Sequence, residues 1–350
     1  MTMTFNSRIP ARRFGFATDK TIPGFQPLQQ PPAAPALLAD VDEDHVFEES
    51  FLKDLVLWWT WDDTRTPLYV SGPTGCGKTT SIVQFLARVN APVISVTCSR
   101  RFVKDDLVGR WGAREGGFAW FDGPATLAWK TGAVLLINEF SLAPPEVWVG
   151  ANDIFEGQSI TLEKTGQAVA RHPNARVVIT DNCRCAAAPE FRYGSRNLQD
   201  ASTSDRFWHM TARWPDEAVE SRIVLGKCTR IAAGALDENL LATLSTCAAH
   251  FAAVTRKQSA RNELCSSETI APVSTRVLVR LTEILTTLLV HGQAAGPALQ
   301  RAVGLALGSA LPPAASLAMI ELAAFEFAPL LELAKARRRR TRSSPECVFF

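Results

Sequence analysis

The 350-residue sequence has eight cysteines but no CxxC pair, and none of its five histidines stands at zinc-ligand spacing. A zinc finger or ribbon is thereby excluded; Cys183-Arg184-Cys185 is the tightest thiol cluster left. The remaining cysteines (Cys76, Cys98, Cys228, Cys247, Cys265, Cys347) are scattered. Read as reduced thiols in a chain of this size, they point to the cytoplasm. The dispersed His45, His172, His209, His250 and His291 suggest no catalytic triad. No continuous apolar stretch follows the early arginines, so no signal peptide is expected. The uncharged run 302–320 contains Gly304, Gly308, Pro312 and Pro313, which reads as two buried helices with a Pro-Pro break rather than a membrane span. A one-sided charge is also missing, since the net charge is +2. Arg337, Arg338, Arg339, Arg340 and Arg342 form a basic tail, without which the balance turns negative. A protein that coats nucleic acid would be more evenly basic, so nucleic acid is not an expected partner. No internal repeat is present.

What is there is an ordinary globular composition, with 47% hydrophobic and 21% charged residues. Residues 1–45 are proline-rich (Pro10, Pro23, Pro27, Pro31, Pro32, Pro35), lack an apolar period and read as an extended arm. Helical spacing begins with Phe47, Phe51, Leu52, Leu55, Val56 and Trp59. From Pro67 to about Asp181, strand-like and helix-like runs alternate. The candidate strands are Leu68–Ser71, Val93–Thr97, Val134–Asn138 and 176–180; the candidate helices are 78–89, 125–130 and 145–155. Such alternation implies a mainly parallel α/β sheet. Past Trp214 only helical segments are read, at 217–225, 239–255, 275–289, 297–307 and 315–336. The expected organisation is an N-terminal arm (1–45), an α/β domain (46–213), an all-α domain (214–336) and a basic tail (337–350).

Gly72-Pro73-Thr74-Gly75-Cys76-Gly77-Lys78-Thr79 matches GxxxxGK[ST] in full, after a strand and before an amphipathic helix (Ile82, Val83, Phe85, Leu86, Val89). The chemistry explains the residues. Glycines let backbone N–H groups converge on phosphate oxygens, and the helix N-terminus adds its partial positive charge. Lys78 suits the β- and γ-phosphates, and the Thr79 hydroxyl suits Mg²⁺. The candidate nucleotide-binding set is Gly72, Pro73, Thr74, Gly75, Cys76, Gly77, Lys78, Thr79 and Thr80.

A second buried strand, Ala133 to Ile137, ends in Asn138-Glu139-Phe140. A P-loop NTPase needs an acidic residue there to hold the Mg²⁺ water shell, and a neighbouring Glu to orient or deprotonate the attacking water. Glu139 is in place. Asn138 offers an amide oxygen to a metal-bound water but no negative charge, so weaker Mg²⁺ binding and slower hydrolysis are expected.

These ordered elements resemble an AAA+ ATPase of the MoxR type, and within it the cobaltochelatase AAA+ subunit (CobS). The resemblance runs from about residue 14 to 290. It includes Phe14-Gly15, Val41-Asp42-Glu43-Asp44, Phe47, the P-loop, Asp106-Leu107-Val108-Gly109 and Asn138-Glu139. It implies a P-loop NTPase (AAA+) parallel-sheet core with a C-terminal all-α lid. By the same resemblance, Thr180-Asp181-Asn182 is a sensor 1 segment whose Asn182 holds or orients the lytic water. Ser204-Asp205-Arg206-Phe207 carries the arginine finger, Arg206, which reaches the nucleotide of the next subunit. Val273-Ser274-Thr275-Arg276 places Arg276 as sensor 2. Two hairpins are expected, one at 110–121 facing a ring pore with Trp111, Phe118, Trp120 and Phe121, and one from Ile160–Leu162 and Gln167–Val169.

The resemblance further implies ATP and Mg²⁺ as ligands, a homo-oligomer in the form of a hexameric ring, and a client protein, in relatives often one with a von Willebrand-type metal-binding domain. Against this remodelling ATPase stand two other readings. One is a nucleotide-gated scaffold that binds ATP and barely hydrolyses it, supported by Asn138. The other is a DNA-associated motor, supported only by the arginine run 337–342.

Overall fold

The computed structural model describes residues 5–26, 38–183, 196–262, 270–308 and 311–343. Its contacts divide the chain into two units, Met1–Thr74 with Lys78–Arg213, and Gly75–Gly77 with Trp214–Phe350.

In the first unit the described strands are, in chain order, β1 (Ser7–Pro10), β2 (Thr21–Gly24), β3 (Leu68–Ser71), β4 (Val93–Thr97), β5 (Gly109–Arg114), β6 (Gly117–Asp122), β7 (Val134–Asn138), β8 (Ile160–Leu162), β9 (Gln167–Val169), β10 (Arg176–Asp181) and β11 (Trp208–Thr211). Five of them form one parallel sheet in the order β11-β3-β10-β7-β4. The strands inside this sheet are continuous apolar runs because a parallel sheet buries both of its faces. Leu68, Val70, Leu135, Ile137, Val178 and Ile179 are accordingly buried. An aromatic cluster fixes the strand ends. Phe140, just past β7, stacks on Trp148 at a centroid distance of 4.2 Å, and Phe207 stacks on Tyr69 of β3 at 5.7 Å. Burying each such side chain contributes about 1.5–3 kcal/mol.

The structure departs from the sequence expectation in several elements. β11 was not anticipated; its four residues include a histidine and a threonine, and its alternating burial suits the sheet edge it occupies. The single helix expected at 145–155 is divided into Pro145–Val149 and Asn152–Phe155. Residues 1–45, expected as an extended arm, contain the antiparallel β1–β2 hairpin, and their described parts belong to the α/β unit. Ile9, Phe14 and Ile22 are buried there but too sparsely placed to show a period. Phe14 packs on Phe85 at 5.5 Å. Arg88, buried, donates from Nε to Arg13 O at 2.8 Å and from Nη2 to Asp42 O at 2.7 Å. Gln84 Nε2 donates to Asp40 O at 3.0 Å. The N-terminal segment is thus strapped to the helix Lys78–Arg88 that follows the P-loop. The two expected hairpins are present as β5–β6, with Trp111 opposite Trp120, and β8–β9.

The second unit is helical among its described residues: Glu217–Ala232, Glu238–Asn262, Thr275–Val290, Ala295–Ala306, Pro313–Glu326 and Ala328–Ser343. Leu244, Phe251, Leu278, Leu281, Leu285 and Phe327 lie in its core. Asp216 and Ser274 cap two of the helices, accepting from Val219 N and Val277 N. The one helix expected at 315–336 is broken near Phe327. Pro329 stands in the first turn of the next helix, where its missing N–H is harmless but where it cannot continue the preceding one. The two segments, Pro313–Glu326 and Ala328–Arg337, meet at a 60° bend; no single described helix is long and apolar enough to cross a membrane. The basic run, expected as a tail, continues the last helix to Ser343, and Arg337 pairs with Asp237 at 2.8 Å. Cys185, Cys265 and Cys347 lie outside the described residues.

Candidate nucleotide site

The parallel registers bring the carboxyl ends of β3, β7 and β10 level: Ser71 lies opposite Asp181, and Asn138 opposite Thr180. Ligands of open α/β sheets bind at this edge. The P-loop leaves β3 here. A Cβ on Gly72 would stand 2.4 Å from Ala212 O, so only glycine fits at that point. Gly77, at φ +94°, takes a conformation that L side chains rarely adopt, immediately before Lys78 opens the helix.

Lys78 is buried, and its ammonium donates to Gly72 O at 2.8 Å, Pro73 O at 2.9 Å and Asn182 Oδ1 at 3.0 Å. Thr79 Oγ1 donates to Asn138 Oδ1 at 3.2 Å; Thr79 and Thr80 are exposed on the first turn. Asn138 Oδ1 also accepts from Thr180 Oγ1 at 2.9 Å, and its Nδ2 donates to Ser95 Oγ at 2.9 Å. Glu139 follows at φ +60°, a strained setting for a non-glycine residue that its surroundings must hold. Asn182 Nδ2 donates to Glu139 Oε2 at 3.2 Å. Lys78, Asn182 and Glu139, read from three separate motifs, therefore form one hydrogen-bonded chain.

Two participants were not singled out in the sequence: Asp181, given no role within the Thr180-Asp181-Asn182 string, and Arg196, which stands in no motif. Asp181, fully buried, accepts from Tyr69 OH at 3.0 Å, Ser141 N at 2.7 Å, Ser141 Oγ at 2.9 Å and Asn182 N at 2.7 Å. Arg196 reaches Glu139 Oε2 with Nη2, and its Nη1 lies 3.5 Å from Asp181 Oδ1. The site therefore alternates charge, with Lys78 and Arg196 set against Glu139 and Asp181. The Cys98 thiol, behind the site, is pushed up in pKa by burial and then by the negative charges of Asp181 and Glu139.

The donor set fits a magnesium nucleotide. A hydroxyl (Thr79), an amide oxygen (Asn138) and a carboxylate (Glu139) are hard oxygen ligands of the kind Mg²⁺ takes directly or through water. The glycine loop and Lys78 suit a polyphosphate. Arg206 is not among these groups; half-buried, it pairs with Glu156 at 2.9 Å and donates to Ser202 O. Arg276 is exposed in the first turn of Thr275–Val290. On the β5–β6 hairpin, Trp111, Phe118 (79% exposed) and Phe121 face solvent, whereas Trp120 is half-buried and donates to Asp122 Oδ1 at 3.0 Å.

Residues 67–207 match the model of the AAA domain (dynein-related subfamily). The fold is accordingly that of a P-loop NTPase, an AAA domain with a helical region C-terminal to it. Protein CbbQ of Hydrogenophilus thermoluteolus is 33% identical over 161 residues, covering 46% of this chain and 58% of its own. Protein NorQ of Paracoccus denitrificans is 31% identical over 192 residues, covering 55% and 64%. The gas vesicle ATPase GvpN1 of Halobacterium salinarum is 30% identical over 143 residues, covering 35% and 41%. The chain spans less than two thirds of the length of each of these relatives.

Proposed function

We propose that this chain is a MoxR-type AAA+ ATPase that binds and hydrolyses Mg²⁺–ATP at subunit boundaries of a homo-oligomeric ring and thereby activates a partner protein. The observation that carries the reading is the Lys78–Asn182–Glu139 chain at the carboxyl edge of the sheet. Similarity to GvpN1, which is named as an ATPase, supports turnover. Similarity to NirQ of Stutzerimonas stutzeri, 31% identical over 159 residues and named as a denitrification regulatory protein, supports a regulatory role.

In this reading Lys78 and the loop N–H groups hold the phosphates, while Thr79 and Asn138 hold Mg²⁺, which neutralises charge on the phosphates when bound. Glu139 accepts a hydrogen bond from the attacking water and sets its line of approach; Asn182 keeps Glu139 and Lys78 in register. Arg206, which pairs with Glu156 and donates to Ser202 O in its own chain, serves the neighbouring subunit's site, which requires a head-to-tail ring, hexameric by the sequence resemblance. Arg276 contributes from the helical lid. The exposed aromatics of the β5–β6 hairpin supply the client contact. Metal insertion and a von Willebrand-type client rest on the CobS resemblance alone.

The test is Mg²⁺-dependent ATP hydrolysis by the purified protein beside Glu139→Gln. Turnover that the substitution removes while ATP binding persists is expected; equal turnover in both overturns the role of Glu139. A second reading, a nucleotide-gated scaffold, is favoured by the neutral Asn138 and requires tight ATP binding with no turnover.

A further inference from the structure

The guanidinium of Arg196 is buried, its side chain only 7% exposed, between two carboxylates that belong to different elements. Glu139 sits just past β7; Asp181 ends β10. Asp181 is already satisfied by four other donors, so charge balance alone does not require the arginine to touch Glu139. The contact is also selective. Arg196 and Asn182 both address Oε2 of Glu139, whereas among the described residues Oε1 receives only a long contact of 3.5 Å from Asn182. Among the described residues, one carboxylate oxygen is clamped and the other carries only that long contact.

We infer that Arg196 is a positioning residue for ATP hydrolysis: it clamps Glu139 through Oε2 so that Oε1 is presented to the attacking water. The inference rests on the proposed ATPase reading. Its physical basis is rigidity. Glu139 has a left-handed backbone and a half-exposed side chain, so without a partner the carboxylate samples several rotamers. The guanidinium, drawn to buried Asp181 through Nη1 at 3.5 Å, reaches Oε2 with Nη2 and so restricts where the carboxylate can swing. Phosphoryl transfer depends almost entirely on placement and electrostatics, and a misplacement of about 1 Å costs on the order of a hundredfold in rate. In this proposal the effect of Arg196 passes through Glu139.

The experiment measures kcat, KM for Mg²⁺–ATP and ATP affinity for the full chain, for Arg196→Ala, Arg196→Lys and Glu139→Gln, and for each Arg196 variant combined with Glu139→Gln. Arg196→Ala is expected to lower kcat by about ten- to a hundredfold, with KM and ATP affinity within about twofold of the parent. Arg196→Lys recovers part of the loss. In the Glu139→Gln background, removing Arg196 produces no further fall, because both substitutions break the same step. A structural role would instead give additive losses and weaker ATP binding. Turnover in Arg196→Ala equal to or above the parent overturns the inference, as does an additive double variant. If Arg196→Ala does not fold, the same cycle with Arg196→Lys decides. An unmodified protein with no turnover overturns the ATPase reading itself, and this inference falls with it; an active parent indifferent to Arg196 overturns only the inference.

Discussion

The Thr79 hydroxyl and the Asn138 amide oxygen lie 3.2 Å apart, joined by a single hydrogen bond across the mouth of the P-loop. These are the two oxygens that a magnesium ion and its water shell would share. One comes from the helix that follows the loop, the other from the end of β7, and neither carries charge. A magnesium ion held as proposed would meet two neutral oxygens here, where a carboxylate would add a negative charge.

Restoring that charge gives the first prediction. Asn138→Asp keeps an oxygen where Thr79 and Thr180 donate, and the Ser95 hydroxyl can turn to donate to the second oxygen. The half-saturating Mg²⁺ concentration for ATP hydrolysis is expected to fall about tenfold, with turnover rising. A magnesium titration of both proteins checks this. An unchanged midpoint would show that Asn138 has no part in holding the metal.

The N-terminal strap gives the second. Arg88→Ala removes donors from Arg13 O, Asp42 O and Gln84 Oε1, and the cation over the Phe47 ring at 5.2 Å. Two partly buried carbonyls and the buried Gln84 amide oxygen lose their donor, so a loss of about 2–4 kcal/mol in unfolding free energy is expected. Denaturant unfolding monitored by fluorescence measures it; a loss below about 0.5 kcal/mol would mean that the segment is held by other contacts.

The helical unit offers a third. Cys228 is fully buried, and burial raises its thiol pKa above the ordinary 9.0, with Thr286 and Thr282 opposing the shift. At pH 8 its thiolate fraction is below that of a free cysteine, so alkylation is slow and speeds up only when the pH rises beyond the ordinary range. Mass-mapped labelling tests this. Native Cys228 reacting as fast as in the unfolded chain would contradict the packing described.

Much of the fold was legible because its signals are local. The strand Val134–Asn138 announces itself as a continuous apolar run, and Gly72 through Thr79 as a complete loop motif. Short elements held by distant partners were not legible. β11 takes its identity from pairing with β3, and β1–β2 from the pocket that Phe14 finds against Phe85. The site divides in the same way. Lys78, Asn138, Glu139 and Asn182 stand in recognisable strings, but Arg196 lies in no motif. Its meeting with Glu139, 57 residues away, depends on where the sheet ends β7 and β10. Arg206 and Arg276 came from the family resemblance, and the described residues give Arg206 an ion pair with Glu156 and a hydrogen bond to Ser202 O.

The most direct test is complementation between two inactive proteins. Lys78→Ala loses the phosphate cation, and Arg206→Ala loses the finger offered to a neighbour; alone, neither is expected to hydrolyse ATP. In a mixed ring, some boundaries pair an intact Lys78 from one subunit with an intact Arg206 from the next. Mixing the two proteins should therefore restore a measurable part of parental turnover, rising and falling with the mixing ratio. Full activity of Arg206→Ala alone, or two inactive proteins that recover nothing when shown to co-assemble, would contradict a nucleotide site shared between subunits.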